Sequence, residues 1–338
     1  MKSIARKARN RVVLFSVLAV AVIAATTIFA ACTAKKPSQG AVPQQKAILR
    51  AAYLPTANYL TTLTKTQILQ EELAKEGAEV VFIGPSAPVD AIKIVTSGNA
   101  DITTTGTGFF INLVNQGNEW VAFALEKYSG DSQGIVAAPN SGIESLADLY
   151  GKKVGIAQRG ATADYILSAA FSHAGLDVSR VEKVELAQAD FAAAFVSGRI
   201  DALASFDQNF ANALAVPGAK KLIDGTEYGS LNWSLHIASR AFAEKHPELL
   251  RAAYRALRRE AARAQKEPSL IMDAYRQFGA SETQIAILKK FNVPQILPLD
   301  AQAVADFARQ ADQYVKFGFI NTAPRDFSSH VLDFSRED

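Results

Sequence analysis

The sequence predicts an α/β fold of mostly parallel sheets flanked by helices, and three observations carry that reading. From Ile48 to Ala204, short β-branched and apolar runs alternate with helix-length segments, the order that joins parallel strands through helices on both faces of a sheet. The alternation runs once to Ala138, restarts at Ser145, and turns almost wholly helical beyond residue 238. About 300 residues carry this pattern, enough for two domains.

Taken in order, 48–53 reads as a first strand, and 60–75 as a helix with Leu60, Leu63, Ile68 and Leu73 on one face. A buried strand at 80–83 stops at Gly84-Pro85, a helix follows over 88–97, and strands follow at 100–103, 120–125 and 134–138. In the second round, a short helix at 145–150 ends at Gly151, and 154–156 is a strand. The helix 161–174 ends at Gly175, followed by a strand at 181–186, a helix at 189–197 and a strand at 200–204. Farther on, Leu250, Tyr254, Leu257 and Ala261 fall at helical spacing. Arg251, Arg255, Arg258 and Arg259 around them, interleaved with Glu248 and Glu260, read as a solvated face rather than an anion site.

The first 31 residues have a separate logic. Lys2, Arg6, Lys7, Arg9 and Arg11 precede an uncharged, mostly apolar run over 12–30, then Phe29-Ala30-Ala31-Cys32. That is the layout of a secretory signal over 1–31. The cysteine after two alanines resembles the lipobox of bacterial lipoproteins, which implies acylation of the Cys32 thiol and anchoring to a membrane. Phe29 stands where that motif usually has Leu, and a plain membrane-spanning anchor is the other reading of the run. Residues 32–46, polar and containing Pro and Gly, read as a flexible tether. Without 1–31 the chain keeps 31 Lys+Arg against 33 Asp+Glu, a net charge near −2. Such a surface argues against nucleic acid as a partner. Cys32 is the one cysteine, so an intramolecular disulfide, a thiolate metal site and, once Cys32 is acylated, a cysteine nucleophile are excluded.

Candidate chemistry sits at strand-to-helix turns, where open parallel sheets gather ligands and helix starts offer unpaired N–H groups to anions. Three turns carry small polar residues: Thr56 to Tyr59, with Asn58 and Tyr59 as candidates; 103–107, with Thr105, Gly106 and Thr107; and Arg159 to Thr162, with Arg159, Gly160 and Thr162. Each turn alone reads equally as an ordinary helix cap; three in one chain point to a small, oxygen-rich ligand. The Arg159 guanidinium suits a sulfonate or carboxylate, or belongs to the surface. Phe206 and Gln208, after the strand at 200–204, offer an apolar contact and a donor, with core packing the other reading of Phe206. No G-x-S-x-G occurs, and His173, His236, His246 and His330 lack the i, i+4 spacing of a metal pair. No catalytic apparatus, metal site or cofactor is expected.

Several stretches then carry a resemblance. Residues 140–154 (NSGIESLADLYGKKV), 197–202 (SGRIDA) followed by Phe206-Asp207, 97–102 (SGNADI) and 246–248 (HPE) resemble, in order, segments of periplasmic substrate-binding proteins. The branch is that serving aliphatic sulfonate, taurine, nitrate and thiamine-precursor uptake. The resemblance implies a two-lobed fold, with each lobe a mostly parallel sheet flanked by helices and the ligand cleft between them. Lobe 1 would be 47–136 plus 238–338, and lobe 2 would be 137–237. It also implies a monomeric, exported receptor, lipid-anchored through Cys32 at the outer face of the cytoplasmic membrane or in the periplasm, that delivers a small-molecule solute to an ABC permease. A sulfonate or taurine-like anion is the expected solute. A thiamine precursor or other heteroaromatic solute, held by Tyr53, Tyr59 and Phe206, is the alternative. A hydrolytic or desulfinase-like enzyme on the same scaffold is the alternative of another class; sulfur-cleaving relatives use a cysteine, and the one present is taken by the lipobox. The chain departs from the family where Trp and Pro often follow "IDA", having Phe206 and Gln208, and in its Thr-rich run at 103–107.

Overall fold

A computed structural model describes residues 46–117, 119–324 and 326–337; the expected signal at 1–31, Cys32 and the expected tether up to residue 45 lie outside the described residues. The chain runs β1 (Ala47–Ala52), α1 (Tyr59–Thr62), α2 (Ile68–Ala74), β2 (Ala78–Ile83), α3 (Pro88–Thr96), β3 (Ile102–Gly106), α4 (Thr107–Asn115), β4 (Trp120–Lys127) and β5 (Gln133–Ala137). It continues with β6 (Lys153–Ile156), α5 (Thr162–His173), β7 (Glu182–Glu185), α6 (Phe191–Val196), β8 (Ala202–Phe206), α7 (Asp207–Leu214) and β9 (Lys220–Asp224). Last come β10 (Ser234–Ser239), α8 (Arg240–Lys245), α9 (Pro247–Lys266), α10 (Ser269–Gln277), α11 (Glu282–Leu288), β11 (Gln295–Leu297) and α12 (Ala301–Lys316).

Two sheets result. The first has the order β11-β4-β10-β3-β1-β2 and the second β7-β6-β8-β5-β9. The parallel pairs are β1 with β2 and β3, and β6 with β7 and β8. Each sheet also takes in one strand that arrives from the other, and that strand runs antiparallel to both its neighbours: β10 between β3 and β4, and β5 between β8 and β9. The sheets are therefore mixed rather than mostly parallel. The chain changes sheet at 128–132 and 225–233, so Gly134 to Ala137 lie within the second sheet and Leu235 to Ile237 within the first. The expected boundaries at 136/137 and 237/238 cut through those two strands. At the crossings the backbones touch: a Cβ on Gly130, whose φ is +105°, would lie 2.6 Å from the Gly225 carbonyl carbon, so no side chain fits there.

Both faces of each sheet are covered, as strand alternation requires. On β5, Ile135 joins Val154, Ile166 and Phe171 on one face, while Val136 joins Phe195, Leu203 and Phe210 on the other. In the first sheet, Leu49 and Phe123 pack with Leu250, Tyr254 and Leu257 of α9, and Leu235 and Ile237 pack with Phe110 and Phe307. The arginines of α9 are largely spent on acids: Arg255 pairs with Glu72 at 3.1 Å and Arg259 with Glu72 at 2.6 Å.

Three local departures stand out, the first with a physical cause. The helix expected over 60–75 breaks at Thr66, which is extended (φ −133°, ψ 168°); its hydroxyl accepts from the Ile68 N–H at 3.3 Å, while the Thr64 hydroxyl donates to the Thr61 carbonyl at 2.7 Å. Such hydroxyls compete with the helical ladder. Strand β3 runs on to Gly106 and β8 to Phe206, so Thr103 to Thr105 are strand rather than turn residues. The segment expected as a helix at 145–150 makes a single 3-10 turn, Ala147–Leu149.

Candidate functional site

The antiparallel strands explain why polar groups converge. Ser234 at the start of β10 pairs with Gly106 at the end of β3, and Gln133 at the start of β5 with Phe206 at the end of β8. Amino ends of the crossing strands thus share an edge with carboxyl ends of their neighbours. A cavity of about 410 Å³ lies along both edges, lined by Asn58, Thr104, Thr105, Gly106, Tyr128, Ser132, Gln133, Gln158, Thr162, Phe206, Asp207, Asn232 and Ser234 on its polar side. Gln133 ties the crossings together: its amide donates to the Asn232 carbonyl at 3.1 Å and accepts from the Asn232 side chain at 3.1 Å. The Asn58 side chain caps α1 by accepting from the Thr61 N–H at 3.1 Å. No side chain caps α4, α5 or α7, whose N-caps Gly106, Ala161 and Phe206 all border the cavity. The first N–H groups of α4 and α7 donate to the Trp233 and Ser132 carbonyls at 2.9 and 2.7 Å, and the helix starts carry partial positive charge.

Among the described residues, no lysine, arginine or histidine lines the cavity, and Asp207 is its one charged side chain. The Lys127 ammonium sits over the ring of the lining residue Trp233, 4.9 Å from its centroid. Asp207 has a left-handed backbone, φ +54°, and accepts a hydrogen bond from the Tyr275 hydroxyl. Burial lifts its carboxyl to about 6; the Tyr275 bond opposes that rise and the charge of Glu126 adds to it. Behind the wall, fully buried Glu126 accepts from the Tyr59 N–H at 3.1 Å and the Tyr128 hydroxyl at 3.2 Å. The His236 ring joins it to the wall, with Nε2 3.0 Å from Glu126 and Nδ1 3.1 Å from the Thr104 hydroxyl. No group of three or more His, Cys, Asp or Glu among the described residues is placed to hold a metal ion.

Of the residues singled out from the sequence, Asn58, Thr105, Gly106, Thr162 and Phe206 meet on the cavity wall. The others lie off it. Tyr59 is fully buried, its hydroxyl donating to the Pro294 carbonyl at 2.6 Å. The Thr107 hydroxyl donates to the Leu231 carbonyl at 3.0 Å. Gly160 turns the chain with φ +71°, and its N–H donates to Asp164 at 2.9 Å. Gln208 is not among the lining residues, and Tyr53 packs edge-on against Phe82. Arg159 is the clearest correction: its guanidinium is exposed, 3.2 Å from Glu185 and 3.4 Å from the Lys183 carbonyl. The turn that carries it aims the side chain along β7 instead of inward.

Sequence reading missed Asp207, although Phe206-Asp207-Gln208 stood out as a turn, and it missed the whole wall from α10 to Pro294. That wall supplies Ile271, Met272, Tyr275, Leu288, Phe291, Asn292 and Val293. Its helical periodicity announces a core face, with no local sign that part of the face meets a cavity.

This arrangement, two sheet-and-helix lobes with a cavity along their facing edges, is the fold of periplasmic binding proteins. It superposes on the periplasmic aliphatic sulphonate binding protein SsuA of Escherichia coli with a TM-score of 0.75 at 24% identity, covering 86% of this chain and 93% of that one. In sequence the chain is 28% identical over 255 residues to a protein of Escherichia coli (strain K12) named as an aliphatic sulfonates-binding protein, covering 75% of this chain and 79% of the relative. It is 29% identical over 203 residues to the taurine-binding periplasmic protein of the same organism, covering 58% of this chain and 62% of the relative. The NMT1/THI5 like family matches residues 73–270, more than half of the chain, and the chain belongs to that family.

Proposed function

We propose that the chain is the lipid-anchored, monomeric solute receptor of an ABC importer, taking up an aliphatic sulfonate or taurine-like anion and passing it to a membrane permease. The donor set of the cavity carries this reading. Asn58, Thr105, Gln158 and Thr162 surround the uncapped starts of α4 and α5 without any cationic side chain. Neutral hydroxyl, amide and helix-start donors suit a single negative charge with little hydration left. In this reading Asn58, Thr105, Gly106, Thr162 and Phe206 touch the solute, while Tyr59, Thr107, Gly160 and Gln208 brace them from behind. The two lobes close on the solute by rotation about the crossings. The relatives named for sulfonate and taurine binding support it. A second reading, a thiamine-precursor-like heteroaromatic solute, draws on Asp207, whose carboxylate next to Tyr128, Phe206 and Tyr275 would accept from a ring amine.

A thermal-shift screen of the purified protein against sulfonates, nitrate and aminopyrimidines separates them. A ligand at 100 times its Kd adds about 2.7 kcal/mol, and a sulfonate is expected to be the stabilising class; stabilisation by a pyrimidine and by no sulfonate overturns the first reading. Mass spectrometry of protein from its native host tests the anchor, which requires an acylated Cys32 as mature N-terminus.

A further inference from the structure

We propose that the α10–α11 segment sets a lower size limit on the solute, so that the site selects sulfonates with a bulky apolar body over two-carbon ones. This rests on the sulfonate reading above and decides between its aliphatic and taurine-like forms. The cavity is two-sided. Its polar groups collect along the strand edges, whereas Ile271, Met272, Leu288, Phe291, Val293 and Pro294, all from one stretch of chain, give it a hydrocarbon wall. At its mouth Val89 and Phe109 are 54% and 41% exposed, large apolar side chains that a solute body would cover.

Size argues in the same direction. About 410 Å³ lies within the range of roughly 300–1,000 Å³ that encloses a drug-sized ligand. A two-carbon sulfonate seated on the polar edge would leave the hydrocarbon wall facing water. Water held there finds few partners, and displacing it with apolar surface strengthens binding. Met272, unbranched and adaptable, lets the wall fit bodies of different outline.

Isothermal titration of the full protein with linear alkanesulfonates from ethane- to octanesulfonate tests this. Kd is expected to tighten about fourfold for each added CH₂, the weight of one buried methylene, until the cavity is filled. Phe291→Ala is expected to shrink the ratio of ethane- to octanesulfonate Kd at least tenfold. Because Phe291 stacks on Phe210 with centroids 6.0 Å apart and its loss could unsettle the fold, Phe109→Ser at the exposed mouth is the second variant, with a smaller shrinkage of the same ratio. If ethanesulfonate binds wild type as tightly as octanesulfonate, the size limit is wrong while the sulfonate reading stands. If no sulfonate binds, the sulfonate reading fails, and the matching alkylamines and alkanols decide the size limit: affinity rising with chain length upholds it, and a flat series or no binding overturns it.

Discussion

Asp207 is the residue on which the character of the solute turns. Its carboxyl, lifted to about 6 by burial against the Tyr275 bond and with help from Glu126, is mostly ionised at neutral pH. A bound anion nearby makes that charge less favourable still, so the complex holds the Asp207 proton more tightly than the free protein does. Affinity for a simple alkanesulfonate is therefore expected to strengthen as pH falls from about 7 to about 5. A solute that presents an ammonium or ring amine to Asp207 reverses the sign. Asp207→Asn should remove the dependence and tighten a simple sulfonate at pH 7.5 roughly tenfold, one pKa unit's worth. Calorimetric titrations at three pH values read this out, and an affinity flat with pH in wild type would show that solute and Asp207 do not meet. That Asp207 escapes a sequence reading is understandable: strand β8 runs two residues past its apolar pattern, so the inward position falls between the aromatic and the amide that catch the eye. Tyr59 escapes in the opposite sense. Its partner, the Pro294 carbonyl, lies 235 positions away, and no local pattern announces such a contact.

Between elements, the joint of α2 and α9 shows how one buried acid organises a basic helix face. Glu72 is 2% exposed and meets Lys75 at 2.7 Å, Arg255 at 3.1 Å and Arg259 at 2.6 Å. Burial alone would push its carboxyl up; the hydrogen bonds from Lys75, Arg259 and Arg255 outweigh that and hold it at about 2. The folded value lies below the unfolded one, so the stabilisation is complete above about pH 4.5 and is lost as pH falls toward 2. Glu72→Gln is expected to cost about 3 kcal/mol at pH 7, as for breaking a buried pair, and little near pH 2. Urea melts at both pH values check it, and an equal loss at both would assign the effect to packing. The helical spacing of Leu250, Tyr254 and Leu257 made α9 legible, whereas its arginines, expected as a solvated face, include Arg255 and Arg259 bound to Glu71, Glu72 and Glu76. Glu72 as their main partner was not legible, because the pairing depends on where α2 restarts after the break at Thr66. Strands β9 and β11 were missed for a related reason: β9 lies at the edge of its sheet with two exposed lysines, and β11 has three residues.

For the whole molecule, the contacts that span the cavity matter most. Tyr275 of α10 holds Asp207 of α7, and Phe291 stacks on Phe210 at an interplanar angle of 27°. The Asn292 N–H donates to Asp131 at 2.7 Å, and the Tyr165 hydroxyl of α5 donates to Gln313 of α12 at 2.7 Å. Each of these joins a segment on the side of the first sheet to the second sheet or to a crossing. The sequence motifs conveyed two lobes and a cleft, but these ties could not be read from them, since they join residues from 68 to 161 positions apart. Solute entry requires that some of them part while the crossings, laced by Gln133 and pressed together at Gly130 and Gly225, stay put. Tyr275→Phe combined with Phe291→Ala removes the hydrogen bond and the stack without touching the crossings. The double variant is expected to have a larger radius of gyration than wild type in the absence of solute, and a saturating sulfonate should draw it back toward the wild-type value. Small-angle scattering on both proteins, with and without solute, makes the comparison. Four identical radii would mean that the lobes do not move about the crossings and that solute enters by displacing the α10–α11 wall alone.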